Sequence, residues 1–278
     1  MARFDWYQAT VCAPRDDLVE ALAEAFPGRF EWLSRAPHGY DAGMRLLDDG
    51  GQVCQVWWGQ RFAHPHVVFS GEGAPLGADL LRGQFPDHRV TRVDTCTDYA
   101  EPGSYDRLQD LALGVARDRS IKVGTAGDHL LTKEGRTLYL GGTQAHTRLR
   151  LYDKAAELRQ QYALDPVKLA TVPAELARLE VQVRPATPEA KAAAARADPV
   201  ALMGSSAWMR ELMRQVSGLD LEPFQAGRVW RQSDDDRAYA ALLAQYGGLL
   251  RRVCSDLGSW ACVGNQIGHD LAEREKHR

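Results

Sequence analysis

The sequence predicts an α+β protein in which a mainly antiparallel central sheet carries helices packed on one face and is followed by a C-terminal helical region. Three observations predict it. Segments with the period-two alternation of strands crowd the first two-thirds of the chain. Only a few helical segments lie between them. After Pro185 the composition turns rich in alanine and charge, and the apolar spacing becomes mainly helical.

The elements follow in order. FDWYQATV (4–11) reads as a first strand, and DDLVEALAEAF (16–26) as a helix on the spacing of Leu18, Leu22 and Phe26. Strands are predicted at 42–48, 52–58 and 66–70, the first two joined by the turn-forming DDGG at 48–51. GEGAPLG (71–77) lacks the Lys-Ser/Thr of a phosphate loop and reads as a turn. A strand at 88–99 and a helix at 105–119 come next, then strands TLYLGG (137–142), TRLRLYDK (147–154) and ELARLEVQVRP (175–185). Residues 186–199 form a short helix or a linker. The segment 205–218 starts on a serine cap and stops at Gly218, and helices at 236–256 and 259–274 complete the chain. The expected division is a sheet domain of residues 1–185 and a helical region of residues 186–278.

Bulk properties narrow the function. A length of 278 residues suits one large domain or a domain with an appendage. Apolar content of 45% and charged content of 26% suit a soluble protein with a sizeable core. No apolar run approaches the roughly 18 residues of a membrane span, and MARFDWYQAT does not read as a signal peptide. The expectation is a cytoplasmic protein without a membrane partner. Five scattered cysteines, none in a CxxC pair, argue against a disulfide framework and a cysteine-rich zinc site. A net charge of -3 gives no global nucleic-acid signal, so any DNA contact must come from a local basic patch.

Three strands carry chemistry on one face, because side chains two apart in a strand share a side. Arg148, Arg150, Tyr152 and Lys154 lie opposite Leu149 and Leu151. Arg178, Glu180, Gln182 and Arg184 lie opposite Leu179, Val181 and Val183, and Asp94, Cys96 and Asp98 share a face of the third strand. For one strand, a solvated face with salt-bridge pairs would account for this. For three together it is a weaker account, and it gives no reason for a lone tyrosine between Arg150 and Lys154. Forming a phenolate at neutral pH costs roughly 4 kcal/mol, and nearby cations are expected to lower that cost. Asp94, Asp98 and Glu180 are hard oxygen ligands suited to Mg²⁺ or Mn²⁺. A tyrosine nucleophile, a cationic clamp and a carboxylate-held metal make a DNA strand-transfer site whose products are a 5′-phosphotyrosine and a free 3′-OH.

TLYLGG, RLRLYDK and LARLEVQVR, with VVFSGEG (67–73) and TRVDTCTDY (91–99), resemble the replication initiation factor family of filamentous-phage replication proteins and rolling-circle plasmid initiators. The resemblance spans roughly residues 4–185 in the same order. It implies a site-specific nickase and strand-transferase acting on origin DNA with a host helicase, and it allows a homodimer. It places the nucleophile on Tyr152 and the metal on Asp94, Asp98 and Glu180; the same-face cations Arg150 and Lys154 are expected to assist the nucleophile, and Arg148, Arg178 and Arg184 to contact DNA.

Competing assignments are few. His64-Pro65-His66 resembles the paired-histidine metal motif of mobilisation relaxases, with proline as a departure. Tyr99, Tyr105, Tyr139 and Tyr162 are alternative nucleophiles. Tyr139 is the more serious, although no comparable cationic pair flanks it in sequence. Asp153 faces away from Tyr152 by parity and suits a core or helix-capping role. Trp57, Trp58 and Trp208 could stack on bases but read better as core. The break within 249–271 permits a helix-turn-helix, yet its second helix carries few basic residues. A non-catalytic DNA-binding regulator with an initiator-like sheet is the alternative function.

Overall fold

The computed structural model describes residues 2–227 and 234–276. The chain runs β1 (Arg3–Thr10), α1 (Arg15–Ala25), β2 (Arg29–Trp32), β3 (Ala42–Asp48), β4 (Gly51–Trp58), β5 (His66–Ser70), α2 (Gly73–Gln84) and β6 (Arg89–Tyr99). It continues through α3 (Ser104–Asp118), β7 (Val123–Ala126), β8 (Thr137–Leu140), β9 (Thr147–Asp153), α4 (Lys154–Gln161), α5 (Pro166–Ala170) and β10 (Ala177–Val183). Then come α6 (Pro188–Arg196), α7 (Pro199–Leu202), α8 (Ala207–Ser217), α9 (Asp234–Leu257) and α10 (Trp260–Lys276). Among the described residues the strands form one antiparallel sheet ordered β2-β3-β4-β5-β1-β6-β10-β9-β8-β7. The predicted α+β class is the observed one.

Alternation sorts the sheet into two faces. Leu149 and Leu151 of β9, Leu179, Val181 and Val183 of β10, and Leu138 and Leu140 of β8 are buried in one core with Leu18 and Leu22 of α1, Leu81 of α2 and Leu108 of α3. Each large apolar side chain so buried contributes about 1.5–3 kcal/mol. The opposite parity of the central strands carries the charged and polar side chains. Packing under α2 is tight: a Cβ at Gly77 would fall 2.3 Å from the Phe69 ring.

Several elements depart from expectation. The segment 71–77 is not simply a turn, because α2 begins at Gly73 and buries Ala74, Gly77, Ala78 and Leu81. The short edge strands β2 and β7 escape the pattern, since neither shows an alternating buried face. Strand β9 ends at Asp153 rather than Lys154; the Asp153 side chain accepts from the Ala156 amide at 2.9 Å and caps α4. Helices α6 to α8 follow Pro185 yet enter the sheet's core through Ala194, Ala195, Leu202, Met203, Met209, Leu212 and Met213. One compact unit accordingly runs through Arg228, and a second, residues 229–278, holds α9 and α10. Those two helices are separated at Gly258, whose φ of 81° is the left-handed conformation glycine adopts readily. No helix among the described residues is long and apolar enough to cross a membrane. All five cysteines are free thiols.

Candidate active site

The three strands of interest are neighbours, β6-β10-β9, and their register stacks the polar side chains into rungs roughly 6.8 Å apart. One rung joins Asp98, Arg178, Tyr152 and Thr137. The next joins Cys96, Glu180, Arg150 and Tyr139, and a third joins Asp94, Gln182 and Arg148. All the expected site residues on these strands therefore share one sheet face.

Tyr152 is 3% exposed. The Arg150 guanidinium lies over its ring, 3.9 Å from the centroid, and the Lys154 Nζ is 5.8 Å from it. Lys154 arrives as the first residue of α4 rather than by strand parity, and its ammonium pairs with Glu157. The expected lowering of the phenol's pKa is not what the structure holds. Burial first, and then Glu180, push the Tyr152 hydroxyl well above the ordinary phenol value, and the opposing pull of Arg178 is smaller. Both cations meet the π-face, where they stabilise the ring by cation–π attraction.

Arg178 is the buried hub. Its Nε and Nη2 donate to Asp98 at 2.6 and 2.9 Å, and its Nη1 donates to Asp5 at 2.7 Å. Arg3 adds a bond to Asp98 at 2.8 Å. Burial alone would raise the Asp98 carboxyl, but the bonds from Arg178 and Arg3 hold it below the usual carboxylate value. An arginine so committed to two carboxylates has little left for a DNA phosphate, and Asp98 has little left for a metal.

The carboxylates expected to share an ion are thus not equivalent. Among the described residues no group of three or more His, Cys, Asp or Glu is placed to hold a metal ion. Asp94 and Glu180 remain a pair. Asp94, 2% exposed, is gripped by both arms of Arg92 and lies 3.4 Å from the Gln182 Nε2. Burial pushes its carboxyl up despite these partners. Burial and the adjacent Asp94 push the Glu180 carboxyl up to about 7, and Arg150 stands 3.7 Å away. Beside them the Gln182 Oε1 is buried without a hydrogen-bond partner. Two carboxylates that oppose each other's ionisation and an orphaned carbonyl oxygen fit a hard cation such as Mg²⁺ or Mn²⁺. Mg²⁺ in particular usually takes one or two carboxylates and completes its shell with water and substrate phosphate.

Next to this pair a cleft of about 190 Å³ is lined by Arg92, Tyr139, Arg148, Arg150, Glu180 and Gln182. The Nε atoms of Arg148 and Arg150 are buried there without partners. Arg184 donates to the Thr143 carbonyl, and burial followed by repulsion from Arg92 lowers its pKa. Cations outnumber carboxylates around this opening, which favours an anionic ligand.

Other candidates sort by geometry. His66 begins β5 with both ring nitrogens engaged, Nε2 by Gln8 at 2.9 Å and Nδ1 by Thr10 at 3.2 Å, while its ring stacks on Trp57. Burial pushes it down to about 4, so it is a neutral packing histidine; His64 is exposed in the loop before the strand. Tyr139 gains across strands what it lacks in sequence, with Arg148 4.1 Å over its ring. Burial raises the pKa of Tyr99 and Tyr105, and Lys168 stands 5.7 Å from the Tyr162 ring. Trp57 is buried, and Trp58 and Trp208 pack partly buried against the core.

Sequence reasoning misses two residues. Asp5 has the parity of the core residues Tyr7 and Ala9, but a register shift between Phe4 and Trp6 turns it to Arg178. Arg92 shares the parity of Asp94 and is legible from that alone.

No family model matches the chain, and no curated protein matches it significantly in sequence. Its fold is similar to that of a solved structure of a rolling circle replication initiator protein from Geobacillus stearothermophilus. The TM-score is 0.51 and the identity 18%, over 85% of this chain and 90% of that one.

Proposed function

We propose that this protein initiates rolling-circle replication by nicking one strand of a phage or plasmid origin, with Tyr152 as the nucleophile. One observation carries the reading: on a sheet with an initiator-like fold, Tyr152 shares a face with the Asp94–Glu180 pair and an arginine-lined cleft, one rung from Glu180 and two from Asp94.

The Tyr152 Oη attacks the scissile phosphorus, the P–O3′ bond breaks, and the 3′-oxygen leaves and takes up a proton. A 5′-phosphotyrosine and a 3′-OH result, and attack by a 3′-OH on the phosphotyrosine reverses the step. Burial holds the resting phenol protonated, so the hydroxyl loses its proton to solvent as the phosphate arrives rather than beforehand. Lys154, beside the Tyr152 ring, neutralises the non-bridging oxygens of the scissile phosphate as charge builds, Arg150 covers that ring, and Arg178 positions the neighbouring strand by holding Asp5 and Asp98. Asp94, Glu180 and the Gln182 Oε1 would hold a Mg²⁺ or Mn²⁺ ion, which when bound would supply Lewis-acid stabilisation of the phosphoryl group. Origin DNA is the substrate, and a host helicase extends the opening made at the nick.

Incubation with supercoiled DNA of the native replicon and Mn²⁺ tests this. The parent relaxes the plasmid and stays on its 5′ end, whereas Tyr152→Phe does neither. If the parent binds the origin without cutting it, the regulator reading replaces this one.

A further inference from the structure

The cleft and the carboxylate pair share their arginines. Arg92 lines the cleft and also holds Asp94 through its Nε at 2.9 Å and through its Nη2. Arg150 lines the cleft and stands 3.7 Å from Glu180. The two groups that would bind a cation are therefore paired with the two that would bind an anion. Arg148 completes the cleft and forms no ion pair with a carboxylate among the described residues; its guanidinium lies on the Tyr139 ring. Its buried Nε and that of Arg150 lack acceptors, which a phosphate oxygen would supply.

We propose that the cleft is a subsite for a non-scissile phosphodiester of the nicked strand, and that phosphate in the cleft and a divalent ion at Asp94–Glu180 promote each other's binding. This rests on the nickase reading for its ligand, and adds how the site is loaded. A phosphate draws Arg92 and Arg150 away from the carboxylates, and a metal draws the carboxylates away from the arginines. Each ligand removes the partner that competes with the other, so the coupling is positive and, by linkage, reciprocal. With neither ligand the arginines close the site as internal counter-ions, and free metal binds weakly.

Mn²⁺ binding, read from the loss of the free-ion electron paramagnetic resonance signal, tests this on the full chain carrying Tyr152→Phe. The probe is a short mixed-sequence single-stranded oligonucleotide. DNA is expected to tighten Mn²⁺ by at least about fivefold, the low end of ordinary site coupling. Adding Arg92→Gln tightens Mn²⁺ without DNA and removes most of the gain with it. Arg148→Gln, which pairs with neither carboxylate, leaves DNA-free Mn²⁺ affinity unchanged and shrinks the gain, so the test does not depend on Arg92→Gln folding. Unchanged Mn²⁺ affinity on adding DNA overturns the proposal, as does a gain that persists in full in both variants. Nicking by the Tyr152 parent is scored separately. Coupling without nicking counts against the nickase alone, and nicking without coupling counts against the exchange alone.

Discussion

Replacing Arg178 with glutamine removes the cation that Asp5 and Asp98 share, and its cost follows from the burial of the three groups. The Arg178 side chain is 8% exposed and the two carboxylates 20% and 23%. Deleting one partner of a buried pair costs about 3–5 kcal/mol because an uncompensated charge stays behind. Asp5 and Asp98 keep some contact with water, and Arg3 still reaches Asp98, so the lower end, about 3 kcal/mol, applies. At roughly 2–4 °C per kcal/mol for a unit of this size, Tm falls by about 6–12 °C at pH 7. The sign of the pH dependence follows from Asp98, whose pKa is depressed in the folded protein. Its contribution is present above the unfolded value of about 3.9 and is lost as pH falls through the lower folded value. Calorimetric melts of parent and variant between pH 7 and pH 3 should show the deficit narrowing below about pH 4. A variant melting within 2 °C (about 1 kcal/mol) of the parent at pH 7, or a deficit undiminished in acid, refutes the reasoning.

Further outcomes can be measured with the same protein. Gly77→Ala drives a methyl into the Phe69 ring, 2.3 Å away, and should cost about 1–3 kcal/mol in urea denaturation. Glu180 is raised to about 7, so it resists ionisation between its unfolded value near 4.3 and that pH. The metal-free fold therefore loses stability as pH rises through this window, while Mn²⁺ affinity climbs and levels off above it; Glu180→Gln removes both trends. His64→Ala should leave Mn²⁺ binding and nicking intact, and a loss of both would revive the paired-histidine reading. Tyr139→Phe should still form the covalent adduct, although Arg148 covers its ring as Arg150 covers that of Tyr152.

Legibility in the sequence depends on whether a rule of local geometry holds. Parity holds in β9 and β10, so spacing alone puts Arg148, Arg150 and Tyr152 on one face with Arg178, Glu180 and Gln182. It fails at the β1 register shift, and Asp5 is lost there. It also fails at Lys154, because Asp153 takes the capping role expected of it, starts a helix and draws Lys154 out of the strand. Parity places groups on a face but does not say which ones pair. Asp94, Asp98 and Glu180 look alike in sequence, yet Arg178 and Arg3 take Asp98 while the Asp94–Glu180 pair keeps an orphaned oxygen beside it. The cations expected to acidify Tyr152 stack on its ring instead, a distinction set by rotamers that spacing does not encode. Helix α2 hides behind glycines because its small residues serve contact with β5 rather than a turn.

The central claim is that Tyr152 becomes covalently attached to DNA. After reaction with native replicon DNA and Mn²⁺, nuclease digestion and tryptic mass spectrometry should find the nucleotide mass on the peptide containing Tyr152, absent in Tyr152→Phe. An adduct on Tyr139 or another residue, or cleavage that leaves no adduct on the protein, would contradict it.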